Sequence, residues 1–297
     1  MEEIESLIRI AREAWRGLGL SQIEKNCVVA LIVGAILYVL VYFAERVCRT
    51  RTDHYSSKDF YYDVVYWFYY RGGFHYLLLV SVIFPPVDQP PPFLDLKLLA
   101  GLPIAAQVVV VLVVADVAAY WVHRAMHKFR FLWAFHAMHH AEEGVNFASS
   151  ARFHPVEMIC FYGWYYALTL ILGADPHGIV LIMILNELQF AAQHTQISWK
   201  LGPLYKVFVT PSFHAYHHST DPAHYGKHYS ASVFSFWDYI FGTAVRDDDP
   251  APARLGLDFV RMPTFASTLL TPFRLLFEFY GLTGRVDAFT GKSRASK

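Results

Sequence analysis

Long uncharged runs and short polar, histidine-bearing stretches alternate along this chain. Residues 2–20 place Ile4, Leu7, Ile8, Ala11, Trp15 and Leu18 at helical spacing, with Glu and Arg between them. That pattern predicts an amphipathic helix, lying on a membrane surface or packed on other helices. Its apolar run starts too late for a signal peptide, and no small-residue cleavage site follows. Residues 27–44 carry no charge and are long enough to span a bilayer. Residues 60–84 predict a second, less regular membrane segment, broken by Arg71-Gly72-Gly73. Pro85, Pro86, Pro90, Pro91 and Pro92 predict a stiff loop. Residues 98–122 are a Val-rich third span with only Gln107 and Asp116 as polar interruptions. Residues 156–173 and 178–194 predict a helical hairpin turning at 174–177. The stretch 205–242 is polar, aromatic and His-rich, residues 246–249 read as a solvated loop, and 265–282 predict an interfacial helix.

Composition sharpens this picture. Of 297 residues, 55% are hydrophobic and 17% charged, against about 25% charged in a typical soluble domain. Mean hydropathy is +0.29. These values exclude a disordered chain and argue against a soluble enzyme. The formal net charge of zero leaves no basic footprint for nucleic acid. The three cysteines, Cys27, Cys48 and Cys160, lie far apart with no CxxC, which argues against disulfides or a Cys-based zinc site. Arg46, Arg49, Arg51 and Lys58 follow the first span, and Arg124, Lys128, Arg130 and Arg152 surround the histidine clusters. The hairpin tip at 174–177 has no Lys or Arg. The basic loops are therefore expected on the cytoplasmic side, together with the histidines. The N-terminal helix, with Arg9, Arg12, Arg16 and Lys25, fits that assignment less well.

The 15 histidines concentrate in three motifs. His123 and His127 form an HxxxH; His136, His139 and His140 form an HxxHH; His214, His217 and His218 form another. Positions i, i+3 and i+4 share one helix face, so each motif can aim two or three imidazoles at one point. One given HxxHH arises by chance in roughly four chains in a hundred of this length and His content. Two of them beside an HxxxH point to a metal site, because clustered imidazoles gain little without one. All-imidazole ligation suits zinc, iron, copper or nickel. A structural zinc takes four ligands, usually with Cys. The chain has no HExxH, and its clusters lack the carboxylates of ferritin-like sites. Two ions are therefore expected, of the histidine-rich membrane di-iron type.

From Asp116 to Thr243 the chain resembles the fatty acid hydroxylase / sterol desaturase superfamily of integral membrane di-iron oxygenases. The resemblance rests on Asp116-x-x-x-Tyr120-Trp121-x-His123-Arg124-x-x-His127 and His136-x-x-His139-His140. It continues through Asn146-x-x-Ser149-x-x-Arg152-x-His154-Pro155-x-Glu157, Gln193-His194, His214-x-x-His217-His218-Ser219 and Phe236-Trp237-Asp238-Tyr239-Ile240-Phe241-Gly242-Thr243. The family's usual Asn-Tyr-Gly reads His228-Tyr229-Ser230 here. The resemblance implies an all-α integral membrane fold, with about four transmembrane helices and a cytoplasmic helical cap holding the metals. It divides the chain into an N-terminal helix (1–25), a transmembrane region (26–115), a catalytic core (116–243) and a C-terminal tail (244–297). It implies two iron ions, for which zinc substitutes readily in purified samples. The implied reaction is O2-dependent hydroxylation or desaturation of an unactivated C–H bond in a membrane lipid. Electrons would come from an external ferredoxin- or cytochrome-type donor with its reductase, since no flavin, haem or nucleotide motif is present. An alkylglycerol-type ether monooxygenase and a non-enzymatic metal transporter are the alternatives.

The eight motif histidines are the catalytic and metal-ligand candidates, and His194 is expected to complete the metal set. Asp116, a carboxylate in a Val-rich span, is costly unless paired. It is expected to orient a ligand histidine or, alternatively, to make a structural bond. His154 is a candidate for substrate, metal or loop structure. His228 is a candidate ligand in place of the family Asn. Glu187 and Gln189 stand out as polar positions in a span. His54, His75 and His177 are assigned no role, and His224 reads as a loop residue.

Overall fold

The computed structural model describes residues 20–48, 50, 52–74, 96–198, 201–246, 251–257, 260 and 264–280. The expected helix at 2–20 and the Pro-rich loop lie outside these residues. Among the described residues the architecture is helical, with two isolated bridges (Phe208 with Phe234, Ser219 with Leu255) and no strand. The helices are α1 (Leu20–Val47), α2 (Lys58–Arg71), α3 (Ile104–Lys128), α4 (Arg130–His140), α5 (Pro155–Leu172), α6 (Pro176–Gln193), α7 (Pro211–His217), α8 (Phe236–Ile240) and α9 (Phe265–Phe279).

Among the described residues, three segments are long and apolar enough to cross a membrane: Lys25–Val47, Ile104–Lys128 and Pro155–Leu172. α1 exposes Val28, Val29, Leu31, Ile32, Val39, Leu40 and Phe43, as a lipid-facing helix would. α6 also exposes Val180, Leu181, Met183 and Ile184, but it is interrupted by Asn186, Glu187, Gln189 and Gln193. The hairpin is as predicted: Gly173 closes α5 in the left-handed conformation at φ 57°, and the Asp175 side chain caps α6. The segment read at 60–84 is described only to residue 74. Its helical part, α2, carries buried Asp63 and is not among the membrane-length helices.

The third span starts later than the sequence suggests and runs on to Lys128. Gln107 offers a reason for the late start, since its amide donates to Leu102 O and its carbonyl accepts from Asp175 N. The 25 residues of α3 make it about 37 Å long, against about 30 Å of hydrocarbon. The helix is thus longer than the apolar layer is thick, and His123 and His127 lie in its last turns.

Two apolar cores hold the frame. Leu99, Val111, Leu172 and Ile182 join α3 to the α5–α6 hairpin. Tyr66, Trp67, Ala134, Ala137, Met138, Phe147, Leu275 and Phe279 join α2, α4, the 147–151 turn and α9. The expected helix near 265–282 is α9, and it packs on α4 rather than standing alone. A buried polar knot adjoins the second core. Arg152 contacts Asp63 on α2 through Nε (2.5 Å) and Glu142 through a terminal nitrogen (2.6 Å). Asn146 donates to Asp63 and caps the 147–151 turn. A buried guanidinium persists only when paired in this way.

Candidate metal centre

α3 and α4 are separated by Phe129 alone, so the chain reverses direction at the end of the span. That reversal brings His123 and His127 of α3 against His136, His139 and His140 of α4. α7, capped by Thr210 and started by Pro211, places His214 and His217 on its helical turns and His218 at its C-terminal cap. His194 is the C-terminal cap of α6. The nine rings sort into two groups: His123, His127, His136, His140 and His217; and His139, His194, His214 and His218. Within each group the candidate ligand nitrogens lie within 4.8 Å of one another.

Each HxxHH supplies both groups. His136 and His140 enter the first group while His139 enters the second; His214 and His218 enter the second while His217 enters the first. At roughly 100° per residue, i and i+4 are about 40° apart, whereas i+3 and i+4 differ by a full 100°. One short helix turn therefore feeds two neighbouring pockets.

The donor set fits a metal ion in each group. His123 Nδ1 donates to Tyr229 O at 2.7 Å, His136 Nδ1 to Glu157 Oε1 at 2.6 Å and His217 Nδ1 to Lys227 O at 3.1 Å. Those bonds fix the tautomer and leave each Nε2 as a lone pair aimed inward. Yet His123 Nε2 and His136 Nε2 face each other at 2.9 Å, and His140 Nε2 is 3.1 Å from the latter. Two lone pairs at that distance repel unless a cation lies between them. In the second group His194 Nδ1 donates to Phe190 O, and its Nε2 sits 3.3 Å from His139 Nε2 and 3.1 Å from His214 Nε2. His218 Nε2 is 3.0 Å from His214 Nε2. Two imidazoles on one ion at about 2.1 Å would stand roughly 3.0–3.4 Å apart. His127 Nε2 and His217 Nε2 are buried without any protein partner. Burial first, and then neighbouring rings, push His136, His139, His140, His214, His217 and His218 well below the usual imidazole range. They are neutral, the form that binds metal.

Three candidates from the sequence do other work. Asp116 reaches no histidine. Its carboxylate accepts from Val233 N (2.6 Å), Phe234 N and Trp237 Nε1 (2.7 Å), tying α3 to the segment before α8. This is the structural alternative, with an indole and backbone amides as partners. His154 caps α5, accepting from Val156 N through Nδ1, while Nε2 approaches Leu269 O. Neither nitrogen is left for metal or substrate. His228 lies in neither group. Its Nδ1 donates to Phe213 O, its Nε2 accepts from Val245 N, and its ring stacks on Phe213. Its φ of 55° lies in the left-handed region, which suits the Asn found there in the resembled family.

Two carboxylates escaped functional assignment in the sequence. Glu157 Oε1 accepts the hydrogen bond from His136 Nδ1. Asp238 accepts from Tyr229 N, Ser230 N and Thr243, and so holds the loop whose Tyr229 carbonyl orients His123. Both stood in the quoted motifs, but nothing local names their partners.

A cavity of about 230 Å³ opens beside both groups. His123, His136, His139, His194 and His214 line one part of it, and Leu112, Phe153, Met158, Phe161, Trp164 and Phe190 much of the rest. Its walls come from α3, α5 and α6, with Arg71 of α2, His136 and His139 of α4 and His214 of α7 also in the lining.

Paired all-imidazole pockets, an apolar cavity and membrane-length helices together define a histidine-rich integral membrane protein with room for two metals. Residues 108–243 match the model of the fatty acid hydroxylase family. The chain is similar to alkylglycerol monooxygenase of Danio rerio (33% identity over 134 residues, 45% of this chain and 29% of the relative). It is similar to ornithine lipid hydroxylase OlsE of Rhizobium tropici (29% over 171 residues, 58% and 51%). It is also similar to the very-long-chain aldehyde decarbonylase GL1-11 of Oryza sativa subsp. japonica (30% over 148 residues, 47% and 53%). The aligned part spans about half or less of each of these relatives. No solved structure matches the chain.

Proposed function

We propose that the chain is a membrane-bound di-iron oxygenase that hydroxylates or desaturates an unactivated C–H bond of a membrane lipid. The observation carrying this reading is the convergence of nine imidazoles, in groups of five and four, beside a largely apolar cavity that five of them line. His123, His127, His136, His140 and His217 would hold one ion, and His139, His194, His214 and His218 the other. When bound, iron supplies activation of dioxygen with two electrons from an external ferredoxin- or cytochrome-type donor. The protein's share is positioning. Glu157, the Tyr229 and Lys227 carbonyls and Phe190 O fix ring tautomers; Phe153, Phe161 and Trp164 exclude water and seat the acyl or sterol-like chain. A transporter would distribute polar ligands through the membrane depth; gathering all nine in one place supports the enzyme reading.

The proposed topology has α6 as a fourth crossing and the histidine-bearing segments as a cytoplasmic cap, with residues 116–243 as the catalytic core. Zinc would load the same imidazoles in overexpressed samples. A second reading, oxidation next to the oxygen of an ether lipid, is supported by the alkylglycerol monooxygenases among the relatives. Purified protein loaded with ferrous iron and given reductant, membrane lipid extract and 18O2 tests both. A labelled lipid alcohol or a new alkene supports the main reading, and a fatty aldehyde with a freed glycerol lipid supports the second. Absence of any oxidised lipid from iron-loaded, folded protein would overturn the enzyme assignment.

A further inference from the structure

Glu187 sits in the apolar hairpin helix α6, and Arg71 ends α2; both line the same cavity as the histidines. A terminal nitrogen of Arg71 contacts Glu187 Oε2, and the guanidinium carbon lies 5.4 Å from the centre of the Trp67 ring. The pair leaves Arg71 Nε and Glu187 Oε1 buried without a partner. A donor and an acceptor on the two paired side chains thus stand unsatisfied in the wall of a cavity whose other polar lining includes the histidines, Asp116 and Asn186. Polar atoms buried without a partner are costly, which makes an unsatisfied donor and acceptor in a cavity wall candidates for binding a ligand. Glu187 and His194 are seven residues apart along α6, two helical turns, so they share a face about 10 Å apart. Glu187 therefore lies two turns from His194, with Phe190 between them in the sequence and in the cavity lining.

We infer that the Arg71–Glu187 pair anchors the polar group of the lipid that enters this cavity, and that it selects an uncharged hydroxyl- or amide-type group over an anionic one. The inference rests on the lipid-oxygenase reading for the identity of the cavity's occupant. Arg71 Nε–H would donate to the ligand oxygen, and Glu187 Oε1 would accept its O–H or N–H. The pair has no net charge, so it offers no attraction to a phosphate, and the Glu187 carboxylate repels one. The chain beyond the polar group would then run toward the histidines, which sets which carbon meets them.

The test uses three probes with one chain length: hexadecanol, hexadecyl phosphate and hexadecane, bound to full-length protein in a neutral detergent. Affinity is read from the ligand-dependent rise in melting temperature. Metal content is measured on the same samples. Wild type should bind hexadecanol about tenfold more tightly than either other probe, the scale of a hydrogen bond to a charged group. Glu187→Gln leaves the guanidinium unbalanced and should turn the preference toward hexadecyl phosphate. Arg71→Gln should weaken hexadecanol binding by about tenfold and exclude the phosphate further. Equal binding of all three probes to wild type, or a preference unchanged in either variant, overturns the inference. Either variant decides alone if the other does not fold. Absence of metal from the wild type would instead count against the oxygenase reading, so the two failures are distinguishable.

Discussion

Glu157→Gln tests whether the carboxylate outside the first histidine group sets the metal site. Glu157 Oε1 accepts from His136 Nδ1 at 2.6 Å, with both side chains almost fully buried. The substitution keeps shape and replaces the carboxyl group by an amide. Either the Gln carbonyl accepts a weaker, neutral hydrogen bond, or its amide faces His136 and forces the proton onto the inward nitrogen. Loss of such an outer partner lowers metal affinity or activity by about 10–100-fold, or roughly 1.4–2.8 kcal/mol. Iron or zinc affinity should be read by chelator competition, with turnover and melting temperature on the same preparations. The decisive control is a cycle with His136→Ala. If Glu157 acts through His136, Glu157→Gln should add almost nothing in the His136→Ala background, because neighbours in one network do not add. Full additivity, or wild-type metal affinity in the single variant, would refute the positioning role.

Elemental analysis of wild type should give about two metals per chain; His140→Ala should lose the first and His194→Ala the second, and loss of both ions together in each variant would contradict separate groups. Asp116→Asn should keep both metals and lower stability by about 1–3 kcal/mol in a thermal melt, since it unpairs buried donors from the segment before α8; loss of metal without loss of stability would contradict that. His228→Asn should fold and hold metal as wild type does, because Asn accepts the left-handed backbone, whereas His228→Ala should cost yield; metal loss in a folded His228→Asn protein would restore it as a ligand. A cysteine near residue 175 should react with an impermeant thiol reagent outside intact cells, and one near residue 221 only after lysis; the reverse pattern would invert the proposed orientation.

What the sequence determined by itself is local. Uncharged length marks membrane helices because hydrocarbon offers no partner for charge, and it located α5 closely, the core of α1, and α3 with a shift of about six residues. The i, i+3, i+4 spacing identified the eight motif histidines because a helix turn relates those positions without help from the rest of the chain. Charge asymmetry suggested an orientation for the same reason. The partition of the rings was set in three dimensions. His136 and His140 part from His139 only because His123, His127 and His217 converge on one side and His194, His214 and His218 on the other. Asp116, His154 and His228 looked like ligands because a buried polar residue needs a partner, and sequence cannot say which. Their partners are backbone groups and an indole from distant segments, Trp237 lying 121 positions from Asp116. Glu157 passed unassigned for the converse reason: its histidine is 21 residues away on another helix. Hydrogen-bond partners across such separations are chosen by packing, so only the tertiary structure decides which polar residues face the metals and which hold the frame around them.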